Sequence, residues 1–274
     1  EYAGRRLDRL CSRLPNRWRK CIANKGESWS LDALMRYYRL PRFLMAPNES
    51  MVRLLRERTG KPTFYMRHGV DLEAFSPVHR RPQTELFCIG YVGRLTPEKN
   101  VRLFAELERS LHAAGRRDFR MVLIGEGCEK EWLKNNLQSG QLPGILRGNA
   151  LAEAFSNMDV FVFPSRTDTF GLVLLEAMAS GVPVVVSPEA GARVRVQHRK
   201  TGFVADDVPS ITQSVLQLMD DKALRQEIRS EARRFACTQS WSGVFEQLYK
   251  TYAAGLEECG VAIPAAVAAV PLAR

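Results

Sequence analysis

Residues Phe161–Gly181 read FVFPSRTDTFGLVLLEAMASG. An apolar strand over Val160–Phe163 runs into Pro164-Ser165, then a polar turn, then Phe170-Gly171, and the pattern over Gly171–Ser180 predicts a helix. A strand led straight into a helix by a short turn is the building unit of a parallel α/β sheet. The helix start presents N–H groups that lack a partner inside the helix, and these suit an anion. Two carboxylates flank that start: Asp168 before it and Glu176 in its second turn, eight residues on. Carboxylates accept hydrogen bonds from sugar hydroxyls. Phosphate at the centre with hydroxyls at the edges describes a nucleotide-sugar. The plainer reading of Glu176 is a surface carboxylate near the positive end of a helix. Its neighbours Leu175, Ala177 and Met178 predict instead a buried face, where an unpaired carboxylate is costly and favours a ligand or partner.

Outward from this stretch, apolar runs predict strands over Leu86–Val92, Phe119–Ile124 and Val182–Val186. Between and after them the periodicity predicts helices over Pro97–Ala114, Glu129–Leu137, Leu151–Met158, Val208–Met219, Lys222–Phe235 and Trp241–Leu256. Strands that are continuously apolar and alternate with helices predict a parallel sheet covered on both faces. Upstream, Trp29–Tyr38 reads as a helix and Phe43–Ala46 as a short strand. Asn48 is an N-cap for a helix ended by Gly60, and Pro62–Met66 is extended. Ser76–Pro82 reads as a linker.

Gly90-Tyr-Val-Gly-Arg-Leu-Thr-Pro-Glu-Lys-Asn100 follows the first strand of the sheet. Gly93 permits a tight exit, and Arg94 and Lys99 fall on the loop and first turn of the next helix. Two cations at the carboxyl end of a strand are placed for a diphosphate. On their own they are equally well read as surface charge. Gly125-Glu-Gly127 mimics a dinucleotide fingerprint, but Lys130 stands where the third glycine belongs, so a nicotinamide cofactor is disfavoured. A paired-carboxylate glycosidase ranks low, because the second acid lies on a helix behind a phosphate-type loop.

Together the Gly93-Arg94-Leu95…Glu98-Lys99 and Asp168…Glu176 motifs resemble those of retaining GT-B glycosyltransferases of the large glycosyl transferases group 1 family, similar to bacterial lipid and polysaccharide mannosyl- or glucosyltransferases. The family usually has Glu where this chain has Asp168. The resemblance implies a Rossmann-like donor domain over 83–240, preceded in 1–82 by the end of an acceptor-side domain and a linker. A C-terminal helix over 241–258 and a poorly ordered tail over 259–274 complete the expected organisation. It implies that Arg94 and Lys99 grip the two phosphates and that Glu176 binds the ribose. Asp168 would contact the transferred sugar, and Gly93, Thr169, Phe170, Gly171 and Leu172 would line the donor. The implied activity is retaining hexosyl transfer from a nucleoside-diphosphate sugar to a hydroxyl acceptor, lipid or glycan, with no metal cofactor. The family's acceptor-side residues have no counterpart before residue 40. An alternative is therefore a non-catalytic nucleotide-sugar-binding or membrane-docking module, with the fragment inactive on its own. A sugar-nucleotide epimerase of the same architecture would need acid/base groups that the cleft motifs do not supply.

The remaining sequence bounds the setting. The chain of 274 residues, 45% of them hydrophobic, is long enough for one or two cored domains. It contains no uninterrupted apolar run of membrane-spanning length. It begins with Glu and its opening lacks a signal peptide's apolar segment, which suggests a piece of a longer chain. Residues 1–82 hold 18 Lys and Arg against 8 Asp and Glu; the remainder is balanced at 22 each. All of the net +10 thus lies in the first third. This is either a solvated helix face or a contact for anionic lipid. No nucleic-acid-binding motif accompanies it, so nucleic acid is not an expected partner. The six cysteines are scattered with no Cys-x-x-Cys pair, which fits a reducing cytoplasm and argues against zinc. The expected location is cytoplasmic, peripheral on the inner membrane face.

Overall fold

A computed structural model of the chain describes residues 29–81, 86–165, 168, 171–188 and 196–261. It divides into two compact units, one of residues 1–66 with 246–274 and the other of residues 67–245.

In the first unit, residues 29–38 are helical (α1). Strands β1 (Leu44–Ala46) and β2 (Thr63–Tyr65) pair in parallel around helix α2 (Glu49–Thr59). Asn48 caps α2 as expected: its side chain accepts from the Met51 N–H at 2.8 Å. Gly60 ends the helix in the left-handed region at φ 69°, and its N–H donates to Arg56 O. Met35, Leu44, Ala46 and Leu55 form a small core, flanked by Leu31, Tyr38, Met51 and Val52.

The second unit carries the large core. Six strands, β3 (Phe87–Val92), β4 (Phe119–Ile124), β5 (Gly140–Gly144), β6 (Val160–Phe163), β7 (Val184–Val186) and β8 (Gly202–Val204), form one parallel sheet in the order β5-β4-β3-β6-β7-β8. Counted within this sheet the order is 3-2-1-4-5-6, that of the Rossmann fold. Every residue of β3, β6 and β7 is buried, which explains their unbroken apolar runs. The winding direction reverses at β3, so right-handed crossovers put helices on opposite faces of the sheet. Helices α3 (Leu103–Ala113), α4 (Lys130–Asn136), α5 (Gly148–Ser156) and α6 (Leu172–Ala179) connect the strands. Helices α7 (Val208–Asp220) and α8 (Lys222–Cys237) pack on α3 and α6 respectively, and α9 (Trp241–Glu258) follows.

Both edge strands depart from the sequence-based expectation. β5 (Gly140-Gln-Leu-Pro-Gly144) has no apolar run and contains a proline, which an edge strand tolerates. β8 opens at Gly202 and lies outside the strands expected from apolar runs. A Cβ on Gly202 would sit 2.3 Å from Val184 O, so its strand can approach β7 only as glycine. The helix expected over Pro97–Ala114 is broken. Pro97–Lys99 is a 3₁₀ turn, Asn100 adopts the left-handed conformation at φ 54°, and α3 begins only at Leu103. Asparagine is among the few side-chain-bearing residues that tolerate this conformation.

Arginines lock the elements around β6. Asp159, 2% exposed, accepts from Arg80 at 2.6 Å and from the Cys88 N–H at 2.9 Å. From α8, Arg229 donates to Gly181 O at 2.9 Å, and Arg233 donates to Ala179 O and Phe75 O at 2.5 and 2.8 Å. These bonds satisfy the open carbonyls at the C-terminal end of α6 and so hold its other end at the mouth of the sheet. Cys88 is in the core, and burial pushes its thiol up to about 11.

Candidate functional site

In open parallel sheets, ligands bind beyond the carboxyl ends of the strands where the winding reverses. Here that point lies between β3 and β6. The two loops leaving it are Gly93–Asn100 and Pro164–Gly171, the two motifs singled out from the sequence.

The loop after β3 is stitched to the loop after β4. Gly93 N–H donates to Ile124 O at 3.0 Å, Leu95 N–H to Glu126 O at 2.9 Å, and Glu129 N–H to Leu95 O at 2.9 Å. A Cβ on Gly125 would lie 1.9 Å from Gly93 O, and one on Gly127 would lie 2.1 Å from Leu95 O. These two glycines therefore let two backbones touch, which accounts for the partial dinucleotide fingerprint. Arg102 fastens the same corner through Glu129 at 2.6 Å and lies over the Trp132 ring, 4.7 Å from its centroid.

On this rigid corner the predicted side chains divide. Lys99 is 13% exposed at its side chain, and its Nζ donates to Asp168 Oδ2 at 2.5 Å. Arg94 is 69% exposed and pairs only loosely with Glu98, at 3.4 Å. Beneath them Tyr91 is fully buried and its Oη donates to Arg94 O at 3.0 Å. Burial, and then the nearby charge of Asp168, push the Tyr91 phenol up. Arg94, Lys99 and Asp168 thus gather around one buried ring.

Asp168 also reaches the helix start, where the Gly171 N–H lies 3.4 Å from its Oδ1. Gly171 takes the left-handed conformation at φ 59°, and no side chain caps α6. Leu172 is 39% exposed at the first turn. Four residues on, Glu176 is partly buried, and its carboxylate makes no hydrogen bond or ion pair among the described residues. Burial alone raises its carboxyl to about 6. Thr169 and Phe170 lie outside the described residues.

Ser165 is a feature that motif reading passed over. It follows β6 after Pro164, is 0% exposed, and its Oγ has no hydrogen-bond partner among the described residues. A buried hydroxyl without a partner is rare and costly. Among the described residues no group of three or more His, Cys, Asp or Glu could hold a metal ion, and no helix is long and apolar enough to cross a membrane. The site combines the start of α6, two cations and the Asp168 carboxylate at the strand ends, with Glu176 in the second turn of the helix. Such an arrangement can hold a polyanion and orient hydroxyl groups beside it.

The chain is similar in sequence and in fold to known glycosyltransferases. The chain is 35% identical over 198 residues to a GDP-mannose-dependent alpha-mannosyltransferase of Mycolicibacterium smegmatis, covering 69% of this chain and 50% of that protein. It is 33% identical over 190 residues to the sulfoquinovosyl transferase SQD2 of Arabidopsis thaliana, covering 63% of this chain and 36% of the relative. The chain spans about half the length, or less, of these curated relatives. Its fold matches that of Anabaena HepE, solved with UDP and glucose, at a TM-score of 0.69 and 18% identity over 81% of this chain and 67% of the other. A glycosyltransferase from Rickettsia africae matches at a TM-score of 0.70 and 15% identity, over 93% and 81%. The architecture is thus the GT-B fold. The family model for glycosyl transferases group 1 matches residues 73–235, and the chain belongs to that family.

Proposed function

We propose that the crevice between β3 and β6 binds a nucleoside-diphosphate sugar and that the protein transfers its hexose to a hydroxyl acceptor, a lipid or a glycan, with retention of configuration. The observation that carries this reading is the convergence of Arg94, Lys99 and Asp168 at the strand-order reversal, beside an uncapped helix start. Lys99 and Arg94 would hold the diphosphate, Glu176 the ribose hydroxyls, and Asp168 the sugar. Gly93, Gly171 and Leu172, with Thr169 and Phe170, would line the donor.

In the reaction the bond from the anomeric carbon to the diphosphate oxygen breaks. A bond to the acceptor oxygen forms on the same face, and the acceptor proton passes to the departing diphosphate. Negative charge grows on that diphosphate, and preplaced cations stabilise it; losing one such group typically costs about 3 kcal/mol. Lys99 Nζ donates to Asp168 Oδ2. A diphosphate that takes over Lys99 would release Asp168 to accept from sugar hydroxyls.

GDP-mannose is the first donor to try, given the mannosyltransferase relatives. The test is calorimetry with a panel of nucleotide-sugars and free nucleoside diphosphates, followed by transfer of a labelled sugar to lipid and glycan acceptors. Absence of any nucleotide binding would remove the reading. Binding without turnover would favour the second one, a nucleotide-sugar-binding module. The basic first third would also bring the protein to an anionic membrane surface, as a peripheral protein on the cytoplasmic face.

A further inference from the structure

Helix α1 has two apolar faces. Leu31, Met35 and Tyr38, at helical spacing, pack into the core of the first unit. On the other side Trp29 is 74% exposed and Tyr37 is 65% exposed. Leu40, in the turn that ends the helix, is 76% exposed, and its N–H donates to Tyr37 O. Beside this face opens a pocket of about 220 Å3 lined by Asp32, Met35, Arg36, Arg39 and Arg58. Arg39 donates to Arg58 O at 3.0 Å, which ties α1 to the end of α2 and sets the arginines around the opening.

We propose that this face is the surface by which the protein docks on an anionic phospholipid bilayer, with a lipid phosphate in the pocket of Arg36, Arg39 and Arg58 and with Trp29, Tyr37 and Leu40 at headgroup depth. The charge selects the occupant. Residues 29–66 hold seven Lys and Arg against three Asp and Glu. An apolar protein partner laid on this face would strip water from three guanidiniums with only Asp32 to compensate, which is expensive. A bilayer supplies phosphate oxygens to the guanidiniums, and its interfacial zone is where Trp and Tyr side chains favour lying. The inference rests on the peripheral-membrane reading above and is independent of the donor site.

The test is co-sedimentation of the full chain with phosphatidylglycerol–phosphatidylcholine vesicles at low salt, with pure phosphatidylcholine vesicles as control. Three double variants, all at exposed positions, are compared. Arg36→Gln with Arg39→Gln is expected to lower partitioning about 25-fold, at about five-fold per charge. Trp29→Ser with Leu40→Ser is expected to lower it about ten-fold or more, by removing buried apolar area. Arg117→Gln with Lys222→Gln removes the same charge from the other unit and is expected to leave partitioning within about two-fold. If the unaltered chain fails to sediment, the peripheral reading falls and this surface with it. If all variants sediment like the unaltered chain, or if the Arg117/Lys222 pair weakens binding as much as the first, the surface assignment alone is overturned. Self-association that is lost in the Trp29/Leu40 variant, without vesicle binding, would make the occupant a second copy and overturn it as well.

Discussion

Lys99 Nζ and Asp168 Oδ2 lie 2.5 Å apart across 69 residues of sequence, and both side chains are largely buried. The proposal gives them different partners in the donor complex, a phosphate and a sugar. Replacing Asp168 by Asn would leave Lys99 free to meet a phosphate without first breaking an ion pair. Free nucleoside diphosphate should then bind several-fold tighter while sugar transfer slows by about ten-fold or more. Calorimetry with UDP and GDP checks the first and a radiolabel assay the second. Weaker diphosphate binding in this variant would mean that Asp168 supports Lys99 rather than competing for it.

The two cations should contribute unequally. Lys99 is fixed on a tight turn, whereas Arg94 is 69% exposed and free to sample many rotamers. A charge-assisted hydrogen bond is worth roughly 1.5–3 kcal/mol. Lys99→Ala should weaken nucleotide binding about ten- to hundred-fold, and Arg94→Ala should weaken it less, with a stronger dependence on salt. Titrations at two ionic strengths separate the cases. Equal losses with equal salt slopes would contradict the ranking.

Glu176 should give the site a pH dependence. Its ordinary carboxyl value of 4.5 is raised to about 6 in the fold, because burial penalises the charged form. The folded state therefore holds this proton where the unfolded chain has lost it. The associated stability is present below about 4.5 and is lost as pH rises through about 6. Glu176→Gln should flatten that part of the stability-versus-pH curve. Ligand binding should run the other way, since accepting from ribose hydroxyls is strongest for the carboxylate. Donor affinity should rise as pH passes about 6 in the parent chain and stay level in the variant.

The corner beneath the cations should resist substitution. A Cβ at Gly125 meets Gly93 O at 1.9 Å in a backbone with φ 143°, so the two loops must part. Gly125→Ala should cost about 2 kcal/mol or more, a drop of roughly 4–8 °C in Tm for a domain of this size. Gly115→Ala has open space around it and carries only the left-handed strain, so it should cost about half as much. Similar Tm losses for the two would show that the loop contact gives way easily.

The interior of the fold was legible because burial on both faces imposes unbroken apolar runs. Phe87–Val92, Phe119–Ile124 and Val160–Phe163 were located within a residue of their ends. The edges β5 and β8 were not, since an edge strand needs no such run: one carries Pro143 and the other starts at Gly202. The break at Asn100 was missed for a related reason. A left-handed asparagine leaves no periodic trace, yet it decides that Lys99 sits on a 3₁₀ turn and reaches Asp168. In the site, the charged residues could be found by their spacing after a strand. Ser165 could not, because nothing in a Pro-Ser step says that the hydroxyl will be sealed off without a partner.

Because the sheet winds outward from its middle, the two halves of the crevice come from opposite directions of chain travel. A nick anywhere between positions 99 and 160 would leave one charge of the central pair, and one of the two central strands, on each fragment. Neither piece could assemble the pair alone, and mixing the two would restore it only after β3 had zipped onto β6. Reconstitution of separately expressed halves would thus time the closing of the sheet, with recovery of nucleotide capture as the signal.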